Sequence, residues 1–200
     1  MEQQANALKK QVRRKIENLL SEFAEGKVSR EQFHAIYDHY NSQLQLIDQM
    51  GDADEEQLTA VPGGTIAIRK ATMGKALGLI IYHNKTGTFV DTLGEFDVPP
   101  ALLSPTLNDF TQLMEANKLI ARRINKLPDH GWLLFAAARM SSLVALFHHE
   151  PSAQQVREME RLHHDFEQAN QTVLSGTRAI DKSSLAYPFL VFVQNKIQKG

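Results

Sequence analysis

The sequence predicts an α+β protein: an antiparallel helical hairpin followed by an antiparallel sheet with helices packed on it. Three observations carry this prediction. Residues 5–47 repeat apolar side chains at helical spacing, and residues 76–94 form strand-sized apolar runs joined by a polar turn. Between them, residues 51–64 are acidic and then rich in Pro and Gly. We therefore predict a helical hairpin over 1–50, a linker over 51–64 and an α+β domain over 65–200.

The composition is that of a chain that can bury a core. Of its 200 residues, 42% are hydrophobic and 22% are charged, which suits one good-sized domain or a small domain with an appendage. The formal net charge of −1 lacks the positive excess expected of a general nucleic-acid binder. Cysteine is absent, which excludes disulfides, thiol catalysis and cysteine-ligated metals.

No targeting or membrane segment is indicated by the sequence. The N-terminal stretch lacks the continuous apolar segment of a signal peptide. The longest apolar run, "YPFLVFV", has the length of a strand, whereas a membrane-spanning helix needs about 18 apolar residues or more. We therefore expect a cytoplasmic protein without a membrane span.

The N-terminal segment predicts two amphipathic helices joined by a short turn. Gly26 suits the left-handed conformation that follows a helix end, and Ser29 with Gln32 forms a capping box before the second helix. Two helices alone have too little core to be stable, so we expect the hairpin to pack on another surface or on a second copy. The predicted dimer or partner interface consists of apolar side chains from both helices: Leu8, Val12, Ile16, Leu19, Phe23, Phe33, Ile36, Tyr40, Leu44 and Ile47.

The next segments predict strands. "TIAIRKA" at 65–71 alternates, with Ile66 and Ile68 on one face, and is predicted as a strand. "ALGLIIYH" and "GTFVDTLG" are predicted as the arms of a β-hairpin that turns through residues 84–87.

The remaining chain predicts a long helix, a strand pair and a second helix. The long helix is predicted from Ser104, as N-cap, to about Leu127. "WLLFAAARM" and "SLVALFHHE" then form two strands, and Ser152 opens the next helix with a capping box. For residues 185–197 a strand and a short buried helix are both open.

The catalytic patterns in the sequence are weak. The adjacent pairs His148-His149 and His163-His164 suggest a metal site, but neighbouring residues on a strand point to opposite faces. We interpret them as packing or surface histidines; a metal hydrolase that uses them is the only concrete enzyme hypothesis. The sequence contains neither a G-x-S-x-G elbow nor a phosphate-binding glycine loop. We therefore predict a non-enzymatic protein with no cofactor and no metal.

The run "KKQVRRK" at 9–15 is the strongest charge feature. It places a basic sector beside the apolar side of the first helix, a pattern that could bind anionic lipid or nucleic acid. Glu17, Glu22 and Glu25 follow directly and dilute it. We interpret the run as a solvated face of the hairpin.

The order of elements from "ALGLIIYHNKTGTFVDTLGE" onward resembles the roadblock family of dynein light-chain relatives. The resemblance covers 65–174. It implies a homodimer with a shared sheet and a non-catalytic partner role, commonly at small GTPases. The family pattern has a helix before the first hairpin and three strands between its helices, whereas here a strand and two strands are predicted. Longin, profilin-like, PAS and GAF folds have similar hairpins.

Two functions follow from these predictions. The first is a non-catalytic regulatory or scaffold protein that dimerises and binds a protein partner, with a small GTPase as one partner class. The alternative is a small-ligand sensor of PAS or GAF type, in which Tyr82, His83 or Arg139 would converge on an apolar cavity.

Overall fold

The computed structural model describes residues 2–49, 64–116, 122–128, 131–176 and 180–187. The chain divides into two compact units. The first comprises the described residues up to Gly74 together with His149–Gln155, and the second comprises the described residues of 75–148 and of 156 onward. The α+β class is confirmed: a helical pair comes first and an antiparallel sheet with helices on it follows.

The helices are α1 (Glu2–Ala24), α2 (Arg30–Gln49), α3 (Thr65–Ala71), α4 (Pro100–Glu115), α5 (Ala153–Ala169) and α6 (Gln171–Leu174), with a 3-10 turn at Lys182–Ser184. The strands are β1 (Ala76–His83), β2 (Phe89–Gly94), β3 (Arg123–Leu127), β4 (Gly131–Ala137) and β5 (Ser141–Phe147).

The predicted hairpin of α1 and α2 is confirmed as antiparallel. Lys9 near the start of α1 pairs with Asp48 near the end of α2, while Phe23 and Phe33 meet at the connection with ring centroids 4.8 Å apart. Gly26 has φ +74° in that connection, as the left-handed helix end requires. The backbone N–H of Gln32 donates to Ser29 Oγ at 3.2 Å, so the serine half of the predicted capping box forms, while the Gln32 side chain bonds the Arg69 carbonyl.

The segment 65–71 is the helix α3, and its prediction as a strand is wrong. In a strand Ile66 and Ile68 would share a face, but on a helix they lie about 200° apart. Ile68 accordingly packs into the core of the hairpin, while Ile66 is 72% exposed. Contacts with α2 fix the helix, because the Gln32 side-chain amide donates to the carbonyl of Arg69 at 3.0 Å.

The sheet of the second unit has the strand order β2-β1-β5-β4-β3, with every neighbouring pair antiparallel. The predicted hairpin is confirmed as β1 and β2, whose intervening residues include Gly87 with φ +64°. The predicted strand pair is confirmed as β4 and β5. β1 and β5 come together through pairs such as Ile80 with Val144, which are distant in sequence.

The prediction of one helix from Ser104 to Leu127 is wrong at both ends. Helix α4 begins at Pro100, where a missing backbone N–H costs no intrahelical bond, and Ser104 Oγ donates to the Pro100 carbonyl inside the helix. The final apolar residues belong to β3, which pairs with β4 from Arg123↔Phe135 to Leu127↔Gly131. Gly131 has φ +93°, and a Cβ there would overlap the carbonyl oxygen of Phe147.

Helices cover both faces of the sheet. On one face, Leu103 and Phe110 of α4 pack with alternate residues of the central strands. On the other, Val156 and Phe166 of α5 pack with the intervening residues. β5 is buried along its whole length for this reason, which explains why its residues 143–147 are a continuous apolar run and not an alternating one.

Some predictions lie outside the described residues. These are the linker 51–64, of which only Gly64 is described, and most of 185–197. Leu185 itself has extended backbone angles. Among the described helices, none is long and apolar enough to cross a bilayer.

Candidate interaction surfaces

Nine of the ten residues of the predicted interface come together in one apolar cluster of the first unit, and the tenth, Phe23, contacts Phe33 at its border. Five of them are buried within a single chain: Val12, Leu19, Ile36, Tyr40 and Ile47. Leu8, Ile16, Phe33 and Leu44 are half-buried at the border of the cluster. Phe23 is 41% exposed. A role of these residues in a contact between molecules stays a prediction. The solvent-accessible surface of this predicted interface is formed by the residues at the border of the cluster.

The two long sides of the hairpin differ. One side is covered by α3, since Arg69 of α3 forms an ion pair with Glu22 of α1 at 2.6 Å and accepts from Gln32 of α2. On the other side of the hairpin, Leu20 is 49% exposed and Phe23 is 41% exposed. We call this second side the open flank and define it by Ile16, Leu20 and Phe23 of α1 with Phe33 and Tyr37 of α2.

Aromatic contacts connect three residues of the open flank. The ring of Phe33 lies 4.8 Å from that of Phe23 and 5.6 Å from that of Tyr37, with an angle of 14° to the latter. Stacked rings of this kind present a firm apolar surface that loses little conformational entropy when another surface covers it. Sequence reasoning missed Leu20 and Tyr37 as members of this surface because it ranked residues by the seam between the helices.

β3 is an outer strand of the described sheet, hydrogen-bonded to β4 on one side. Its burial is low: residues 124–126 are exposed, and Ile124 is 37% exposed. The side chain of Arg123 is held by Asp109 at 2.6 Å and lies over the ring of Phe110, both on α4. An outer strand with accessible backbone groups is a template on which another strand can pair.

The other outer strand, β2, is flanked by residues 180–187. Asp91 of β2 accepts from the Tyr187 hydroxyl at 2.5 Å and from Lys182 Nζ at 3.0 Å. The Lys182 ammonium also lies over the Phe89 ring, 4.5 Å from its centroid. Burial acts to raise the pKa of Asp91, but the hydrogen bonds from Tyr187 and Lys182 outweigh it and hold that pKa below its ordinary value. Of the two outer strands, β2 is therefore the one that residues 180–187 contact.

A buried polar cluster links β5 to α5. Ser141 Oγ lies 2.8 Å from His163 Nε2 and 2.8 Å from Glu167 Oε1, and all three residues are buried. Glu167 Oε1 also accepts the backbone N–H groups of Met140 at 2.8 Å and Ser141 at 2.5 Å. Sequence reasoning missed this cluster, although His163 and Glu167 are four residues apart on one helix face.

The cluster is not arranged for nucleophilic catalysis. Because an ionised carboxylate only accepts, the Ser141 hydroxyl donates to Glu167, and the Nε2–H of His163 then donates to Ser141. A catalytic base would have to accept the serine proton, which is the opposite direction. Burial lowers the pKa of His163 to about 4, against the attraction of the Glu167 carboxylate, so the imidazole is neutral at pH 7. The cluster therefore fastens the β4–β5 connection to α5.

The four histidines of the two adjacent pairs have different surroundings. His148 and His164 are exposed, His149 lies 3.5 Å from the Glu31 carboxylate, and His163 is buried beside Ser141. In the described part of the chain, no three His, Asp or Glu side chains are grouped so that they could hold a metal ion.

The residues expected to converge on a ligand do not share a cavity. Tyr82 packs on the α4 face of the sheet, whereas His83 points to the other face and its Nε2–H donates to the Leu174 carbonyl at 2.8 Å. The second ring nitrogen of His83 bonds Thr86 at 2.7 Å, and Arg139 is exposed. Within the described residues, every buried side-chain nitrogen or oxygen has a hydrogen-bond partner.

Among the described residues, the fold is that of an α+β protein whose outer strand β3 pairs on one side and whose hairpin has exposed apolar side chains on one flank. No protein-family model matches the chain, and neither a curated protein nor a solved structure is significantly similar to it.

Proposed function

We propose that this chain is a non-catalytic regulatory or scaffold protein of the cytoplasm, which forms a homodimer through its second unit and binds a protein partner. The observation that carries the proposal is the accessible outer strand β3 at the end of a sheet whose other outer strand is flanked by residues 180–187. The lack of a triad geometry at Ser141 supports a role without chemistry.

The arrangement of the second unit supports a roadblock-like interpretation. The resemblance drawn from the sequence lacked a helix before the first hairpin and a third strand between the helices. In the structure α3 precedes β1, and β3, β4 and β5 lie between α4 and α5. The third strand between the helices is therefore present, whereas α3 belongs to the first unit and packs on α2. A shared sheet between two copies is the mode of dimerisation that this resemblance implies.

The homodimer is tested at β3. Ile124→Lys places a charge on the edge strand without entering a core, because Ile124 is already 37% exposed. We expect the wild-type chain to sediment as a dimer at micromolar concentration and the variant to dissociate at least tenfold more readily. Met73→Lys, at an exposed residue outside the sheet, is the matched control. Equal dimerisation of all three chains would exclude β3 as the contact, and a monomeric wild type would reject the homodimer altogether.

The partner is tested by capture from an extract of the native cell. By the resemblance, a small GTPase is the partner class proposed. Immobilised chain should retain such a protein in a manner that depends on whether GTP or GDP is added, since the switch segments of these proteins differ between the two states. Retention of the same proteins with either nucleotide would argue against this partner class.

A further inference from the structure

We infer that the open flank of the hairpin is a contact with a second copy of this chain, in which α1 packs antiparallel on the partner's α1. This rests on the homodimer of the proposed function and adds a second contact, in a different unit from β3. Leu20 and Phe23 on the flank are 49% and 41% exposed, and two helices with such a side bury it when they pair.

The distribution of charge along α1 indicates that the molecule bound at the open flank is a second copy of this chain. Five basic residues occupy positions 9–15: Lys9, Lys10, Arg13, Arg14 and Lys15. The next charged residues along the chain are acidic: Glu17, Glu22 and Glu25. The sign therefore reverses near Ile16. A second α1 packed antiparallel sets each basic half against the acidic half of the other copy, whereas parallel packing sets like charges together.

Two of these charges border the flank directly. Arg13 and Glu17 precede Leu20 by seven and three residues, so both lie on the same side of α1 as Leu20, and both are exposed. Lys9 is already held by Asp48 at 2.6 Å, and Glu22 by Arg69. A two-fold axis level with position 15, midway between Arg13 and Glu17, brings Arg13 of each copy beside Glu17 of the other. The interface then contains the same ion pair twice.

The apolar part of the contact is tested with the double variant Leu20→Ala/Phe23→Ala. The full-length chain is studied by sedimentation velocity, with helix content measured by circular dichroism to establish that α1 still forms. We expect the dissociation constant of the dimer to rise at least tenfold. Met73→Ala, which shortens another exposed apolar side chain, should leave it unchanged.

The charge pattern is tested by mixing two single variants. Arg13→Glu and Glu17→Arg each place like charges across the two-fold axis, so each alone should self-associate about tenfold more weakly. Mixed together, they should form a heterodimer of wild-type affinity, because the glutamate introduced at position 13 of one chain then meets the arginine introduced at position 17 of the other. An intrahelical effect cannot produce this rescue on mixing.

The outcomes separate this inference from the proposed function. A wild-type dimer that is insensitive to the flank variants and shows no rescue on mixing overturns the inference and leaves the β3 contact standing. A monomeric wild type overturns both. Binding to anionic vesicles that Arg13→Glu weakens and Glu17→Arg strengthens, without association on mixing, assigns the flank to a membrane surface and also overturns the inference.

Discussion

The Nε2 atom of His163 lies 2.8 Å from the hydroxyl oxygen of Ser141, and the same hydroxyl lies 2.8 Å from the Glu167 carboxylate. These contacts join the first residue of β5 to the helix that covers its face. Because the carboxylate also accepts two backbone N–H groups, the position of the β4–β5 connection depends on one buried side chain. The cluster thus has consequences for stability, and they can be measured.

The stability of the second unit should fall as the pH is lowered from about 6.5 to about 4. Burial holds the pKa of His163 at about 4 in the folded chain, below its ordinary value of 6.5. In this window the unfolded chain binds the additional proton and the folded chain does not, so acid favours unfolding. The loss should be on the order of 3 kcal/mol at the acid end.

This pH dependence is measured by urea denaturation at several pH values. His163→Gln retains an N–H donor for Ser141 but has no titrating group, so its stability should vary less across the window. His164→Gln, at the exposed neighbour, should behave like the wild type. Equal slopes for the wild type and His163→Gln would show that another group governs the acid response.

Loss of the Glu167 carboxylate should be costly. Glu167→Ala leaves the N–H groups of Met140 and Ser141 and the Ser141 hydroxyl without their buried acceptor. We expect a loss of about 3 kcal/mol or more in the free energy of unfolding. Glu167→Gln keeps one acceptor oxygen and should lose less. Amide hydrogen exchange gives the local measurement: the Met140 and Ser141 amides should exchange faster in Glu167→Ala, whereas Gln168→Ala at the exposed neighbour should not alter them.

The cluster also shows where sequence reasoning ends. Helical spacing predicted α1, α2 and α5, and the apolar runs predicted β1, β4 and β5, because these patterns reflect burial on a known period. Ser141 and Glu167 are 26 residues apart, and nothing local indicates that they meet. The same holds for the open flank, since only the packing of α3 determines which side of the hairpin is left accessible.

The two wrong elements have a similar cause. Two isoleucines in seven residues fit a strand or a helix equally well, and the contacts of Arg69 with Glu22 and Gln32 decide for the helix α3. The apolar residues of β3 fit the last turn of a helix, but their pairing with β4 supplies backbone hydrogen bonds along five residues. Pairing with a later strand cannot be read from the strand itself.

The contact of residues 180–187 with β2 should depend on one hydroxyl group. Tyr187→Phe keeps the ring against Phe166, whose centroid is 5.7 Å away, but removes the donor to Asp91. A net loss of about 1 kcal/mol in this contact should increase its local opening about fivefold. Trypsin cleavage after Lys182 in the native protein measures that opening. Tyr37→Phe, a change of the same chemistry in the hairpin, is the control; equal cleavage rates for Tyr187→Phe and the control would contradict the expectation.

Substitutions in the core of the hairpin should lower its free energy of unfolding more than substitutions on its open flank. Ile36 is completely buried between the helices, so Ile36→Ala should destabilise the first unit by about 3 kcal/mol. Leu20→Ala removes a side chain that is 49% exposed and should cost less than about 0.5 kcal/mol.

The chain provides a probe for each unit, because its single tryptophan, Trp132, is buried in the second unit while the hairpin is helical. In urea, Ile36→Ala should lower the midpoint of part of the helical signal and leave the Trp132 fluorescence transition in place. Coincident shifts of both signals would show that the two units unfold together, and an Ile36→Ala chain as stable as Leu20→Ala would contradict the burial of the seam.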